Sequence, residues 1–228
     1  MFNKGYYSLL FGIFMVLFVS QTIHAQSKWF FTPGLFYNGG CVSRNVNAGG
    51  ILVGLEYKPT RLFSIELRTK HVNYNFNDGT AWLRDEQGDK VIPPVNSKEA
   101  RIKYDFYSPQ IGLTPKLHLR LKERLSIFVE NEVVAGLMTG KIKYREFREK
   151  EKYTESIFCY NVGIGIEYDL EGIEYRYKGT LLCATIGYST LNYHDKIIEH
   201  QPIGYRYRVP YQNAPVYFNV QLKIPLTK

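Results

Sequence analysis

Beyond residue 26 the chain holds no apolar run approaching the roughly 20 residues that a membrane-spanning helix requires. A transmembrane helical bundle is therefore excluded, although 45% of the residues are hydrophobic and 15% aromatic. Metal-ligand spacings, phosphate-cradling glycine loops and hydrolase nucleophile elbows are also missing, which leaves no motif for metal, nucleotide or acyl-transfer chemistry. Cysteine is scarce: Cys41, Cys159 and Cys183 are an odd number that cannot all pair within one chain. Apolar residues that are abundant but never contiguous must be dispersed by periodicity.

The one apolar stretch of any length stands at the start. Lys4 precedes a run from Leu9 to Val19, and Gln21-Thr22-Ile23-His24-Ala25 follows. That order of charge, apolar core and small residue predicts a cleaved secretory signal peptide over residues 1–25, with residues 26–228 forming one mature domain. The run is too short to span a bilayer as an uncleaved anchor. No Cys stands at the cut to be acylated. The mature chain keeps 28 Lys plus Arg against 21 Asp plus Glu, a net charge of +7. Such a balance suits a surface meeting anionic lipid or polysaccharide; it would equally suit nucleic acid, but export argues against that partner.

Period-2 alternation dominates the rest. Phe158, Tyr160, Val162, Ile164, Ile166 and Tyr168 fall on one face of a strand, with Cys159, Asn161, Gly163, Gly165 and Glu167 on the other. The same reading predicts eight strands near 29–38, 48–58, 62–75, 101–119, 124–140, 156–169, 175–191 and 213–226. Residues 122–138 also fit an amphipathic helix, but its apolar face would include Glu132, so the strand is preferred. Between Ile173 and Thr185 the parity slips near Gly179, as a β-bulge would cause. Short links are expected at 59–61, 122–123 and 170–174, and long ones at 39–47, 76–100, 141–155 and 192–212. Tight turns at one end and long loops at the other fit an antiparallel up-and-down barrel set in an outer membrane, with the tight turns periplasmic.

Alternation alone leaves a soluble lipocalin-like binder open as the alternative. The polar face favours the membrane, because its mixed-sign charges are interleaved with Gly50, Gly54, Gly112, Gly163 and Gly165, which make room for long side chains in a confined lumen. From their parity, Glu66, Arg68, Glu130, Glu132 and Lys223 are expected to form a lumenal ion-pair network. The apolar face ends in Trp29, Tyr37, Tyr57, Tyr107 and Tyr168, which suits interface depth.

By this pattern of strands and loops the mature chain resembles the small eight-stranded outer-membrane barrels of the OmpA/OmpX type and, more loosely, the PorT-like outer-membrane β-barrel domains. The resemblance implies insertion by the barrel-assembly machinery, a monomer, and no cofactor. Some similar barrels modify lipid A with a His beside a Ser or an acid. His194-Asp195, near Ser189 and Thr190, is the one local cluster of that kind, and a solvated loop pair is the simpler account, so no enzymatic activity is expected. Eight strands leave a lumen that side chains can fill, which disfavours a wide pore and leaves an anchor, or a binder acting through its loops. The basic third loop with Lys141, Lys143 and Arg145, and the fourth with Arg206 and Arg208, suit lipopolysaccharide phosphates; ordinary solvated loop charge is the equal alternative. Finally, a hairpin centred on Glu171 would place Cys159 opposite Cys183, where either a disulfide or two reduced thiols would fit.

Overall fold

Strands that alternate as just described bury one face only, and curling the sheet until its edges meet is one way to enclose that face and leave no unpaired edge. The computed structural model shows that closure; it describes residues 28–38, 46–78, 102–144, 150–173, 178–191 and 216–226. Its strands are β1 (Lys28–Asn38), β2 (Val46–Lys58), β3 (Phe63–Asp78), β4 (Ile102–Lys122), β5 (Leu125–Tyr144), β6 (Lys150–Asp169), β7 (Leu181–Ser189) and β8 (Val216–Pro225). Each pairs antiparallel with its neighbours in sequence, and β8 returns to β1, with Leu35 opposite Val220 and Phe31 opposite Ile224. The chain is an all-β, eight-stranded closed barrel. Residues 125–144 form a strand and not the alternative helix.

Several expected boundaries move. β5 and β6 run on to Tyr144 and back from Lys150, so the third long connection shrinks to residues 145–149. Charged residues there interrupt the apolar alternation, but the hydrogen-bonded ladder continues through them, with Lys141 opposite Lys152. The β6–β7 link lengthens to residues 170–180 and opens with a 3₁₀ turn, Leu170–Gly172, in which the Glu171 N–H is capped by the Asp169 side chain. The parity slip near Gly179 is not a bulge within a strand. Gly179 lies in the turn before β7 with φ of 73°, a left-handed conformation that glycine adopts without strain.

The walls differ in height. β4 has 21 residues and β1 only 11; at roughly 3.3 Å per residue and a tilt near 40°, these span about 50 and 25 Å along the barrel axis. The tall side is β3 to β6, and the low side is β7, β8 and β1. Both chain ends of the barrel lie at the tight-turn end, with Lys28 and Pro225 on adjacent strands there.

Candidate functional site

The two faces of the barrel are inverted relative to a water-soluble protein. Outside stand Leu35, Ile51, Leu67, Ile111, Leu113, Val133, Ile164 and Ile186, each 44–64% exposed. Inside, Glu66, Arg68, Glu130 and Glu132 are completely buried, as are Glu56 and Lys223. On β4 the exterior apolar row runs from Tyr107 to Leu121, about 35 Å of height at the same rise and tilt, enough to cover a bilayer's hydrocarbon core. Trp29 and Tyr57, ring centroids 4.7 Å apart, mark its lower edge. Tyr37, Tyr107 and Tyr188 mark the upper edge, where Tyr107 hydrogen-bonds His71 at 2.6 Å.

The lumen has two storeys. The lower one is a chain of charges. Arg68 reaches Glu66 at 2.6 Å, Glu130 at 3.0 Å and Glu132 at 3.8 Å. Lys70 holds Glu132 at 2.5 Å, and Lys116 joins Glu66 at 2.6 Å to Glu56 at 2.9 Å. Lys223 then bridges Glu56, at 2.7 Å, to Glu167. Neutral donors complete the carboxylates: Thr32 and Gln221 on Glu66, Tyr217 on Glu130, and Asn161 on Glu132. The upper storey is apolar and packed: Phe36, Leu52, Val72, Phe106, Val134, Met138 and Ile157 are all buried there. Glycines admit bulky side chains at both levels, since a Cβ on Gly165 would fall within the ring of Phe128, which lies beneath the Lys116 and Lys223 ammonium groups, and one on Gly163 would strike the Tyr217 hydroxyl.

All five residues expected in a lumenal network lie on this face, but they do not contact one another uniformly. Lys223 pairs with Glu56 and Glu167, and it connects to Glu66 only through Glu56 and Lys116. Those three linking residues stood on the polar face by parity; which charges meet depends on register across non-adjacent strands. Lys141 lies on β5 rather than in a loop, and Lys143 is opposite Lys150. Arg145, Arg206, Arg208, His194 and Asp195 lie outside the described residues, as do Cys41 and the segment 1–25.

The cysteine pairing is corrected. The β6–β7 register sets Glu167 opposite Cys183, and Cys159 lies opposite Val134 on the other neighbouring strand. The longer 170–180 link moves the hairpin centre away from Glu171 and separates the two residues along the barrel. Both are buried, free thiols. The folded protein is therefore expected to leave Cys159 and Cys183 unreacted with a maleimide in minutes, and to alkylate at both after unfolding; mass spectrometry of unreduced peptides checks this.

Two other arrangements have the look of chemistry. Ser64 Oγ lies 2.8 Å from His118 Nε2, and His118 Nδ1 lies 3.2 Å from Glu167, the order of a nucleophile, base and acid. However, Ser64 is wholly buried and Glu167 is shared with Lys223 and Lys58, so the contact serves the network. Glu56, His118 and Glu167 also bring three ligand atoms within 4.8 Å of one another. The Lys223 ammonium already bridges both carboxylates there.

An eight-stranded antiparallel barrel with an apolar exterior of bilayer height and a charged, filled lumen is an integral β-barrel of the outer-membrane class. No family model matches the chain, and no curated protein matches it either. Among solved structures it is similar to Ail, the attachment invasion locus protein of Yersinia pestis, at 12% identity over 87% of this chain and 96% of that one, with a TM-score of 0.44. It is similar also to Neisserial surface protein A, at 7% identity over 87% and 96%, TM-score 0.45.

Proposed function

We propose that this protein is a closed outer-membrane anchor whose activity resides at its long-loop end, in binding surface molecules rather than in passing solutes or catalysing a reaction. The filled lumen carries this reading: buried ion pairs occupy its lower half and packed apolar side chains its upper half. A wide water-filled path has no room in such a barrel. Refolded protein in planar bilayers is expected to show no steady conductance of porin size, and unheated samples should migrate differently from heated ones on detergent gels. Steady, large conductance would remove the anchor reading.

Lipopolysaccharide is the partner that best suits the exterior above the belt. Lys141 and Lys152 stand opposite one another on the outward face, one step beyond Thr139 and Thr154 and next to Asp105 across the ladder. Two ammonium groups at headgroup depth suit phosphate. Export by the signal segment, insertion by the assembly machinery and a monomeric state complete the proposal. Lys141→Gln with Lys152→Gln is expected to weaken co-purification of lipopolysaccharide without altering gel mobility; unchanged lipid content would discard these contacts.

A further inference from the structure

The tight-turn end of the barrel carries a concavity of about 690 Å³, within the size range of small-molecule sites. Five cations surround it: Lys28, Lys58, Arg61, Arg120 and Arg124. Their placement follows from parity and turns. Lys28 shares the inward parity of Thr32, Lys58 that of Glu56, and Arg120 that of His118, so three point into the barrel mouth and not toward lipid. Arg61 and Arg124 come from the two shortest turns. Arg120 is held by the Lys122 and Glu123 carbonyls, at 3.3 and 2.8 Å.

Three carboxylates share the wall, Glu123, Glu167 and Asp169, so the cations outnumber them five to three. Glu167 is shared between Lys223 of the lumenal network and Lys58 of the bowl, the latter at 3.6 Å, and the Asp169 carboxylate accepts the Glu171 N–H at 2.9 Å. In the lumen the Lys and Arg side chains are matched by carboxylates; here Lys28, Arg61 and Arg124 have no ion-pair partner among the described residues. Phe30, Leu62 and Leu181 add apolar lining between the charges.

We infer that this bowl binds a small organic anion of the periplasm bearing two or more carboxylate or phosphate groups. Convergent cations with a fixed guanidinium favour oxyanions with paired oxygens, and the apolar lining favours an organic body over a bare ion. The outer-membrane reading enters only in setting the side from which the ligand arrives.

The test uses the full mature chain refolded into discs of neutral lipid, titrated with citrate and with fructose 1,6-bisphosphate. Saturable binding of at least one probe is expected, with NMR shifts confined to the turns at 58–62 and 123–126. Arg61→Gln with Arg124→Gln should weaken it by about tenfold or more, and added salt should weaken it further. Lys141→Gln with Lys152→Gln, at the opposite end, should leave it unchanged. No saturable binding of either probe, or binding undiminished in the arginine variant, overturns the proposal. So does a signal that appears only when anionic lipid is added to the disc, which would make the rim a headgroup contact. Heat-dependent gel mobility tests the membrane barrel separately, so loss of anion binding by a folded barrel defeats the bowl alone.

Discussion

Replacing Arg68 by Ala is expected to lower the unfolding free energy of the barrel by about 3–5 kcal/mol, the range for removing one partner of a buried charge pair. The expected loss is this large because Arg68 faces three carboxylates, Glu66, Glu130 and Glu132, all without solvent contact. Lys116 and Lys70 would remain, but each is already engaged with its own carboxylates. The cost comes from stranding negative charge in a medium that cannot solvate it. It follows that Arg68→Met combined with Glu66→Gln and Glu130→Gln should be less destabilised than Arg68→Ala alone, despite carrying more changes. Urea unfolding in lipid micelles, followed by tryptophan fluorescence, measures both. A single variant within about 0.5 kcal/mol of the parent, the range of an ordinary surface change, would show that the network contributes no stability.

Ile164→Arg should cost about 2–4 kcal/mol in a bilayer, the value for an arginine at the membrane midplane of a β-barrel. Ile164 lies near the middle of the exterior belt, opposite Val129 on one side and Ile186 on the other, and is 54% exposed. Were this same exterior surrounded by water instead of lipid, position 164 would be solvated and the substitution would be nearly neutral. Comparing refolding yield and unfolding midpoint in lipid vesicles therefore separates the two environments with one residue. Neutrality of Ile164→Arg in vesicles would contradict the apolar belt.

Strand identity and facing were legible in the sequence because both depend on a local period. The alternation through 158–168 names the same outward residues that the barrel exposes, and an even count brings the chain back to its starting end. What local period cannot carry is length through charged sequence and register across a link. β5 and β6 extend through Lys141, Lys143, Lys150 and Lys152 because backbone hydrogen bonds continue where side-chain hydrophobicity stops. Cys159 and Cys183 were set opposite one another by assuming a tight hairpin, and a longer link moved them apart. The lumenal network was half legible for the same reason. Parity put Glu66, Arg68, Glu130, Glu132 and Lys223 inside, but Lys116 reaches Glu56 on a strand two places away, a contact set by the curvature of the whole barrel.

The unequal walls give the molecule a front and a back. Where β4 and β5 rise some 25 Å further than β1 by the same rise and tilt, they form a screen on one side of the long-loop end. Among the described residues the side of β7, β8 and β1 raises no such wall of strand, so the strand framework offers unequal heights to a bulky visitor in a crowded carbohydrate layer. The strand framework is thus asymmetric about the barrel axis, and the rotation of the barrel in the plane of the membrane sets which neighbours its tall wall faces.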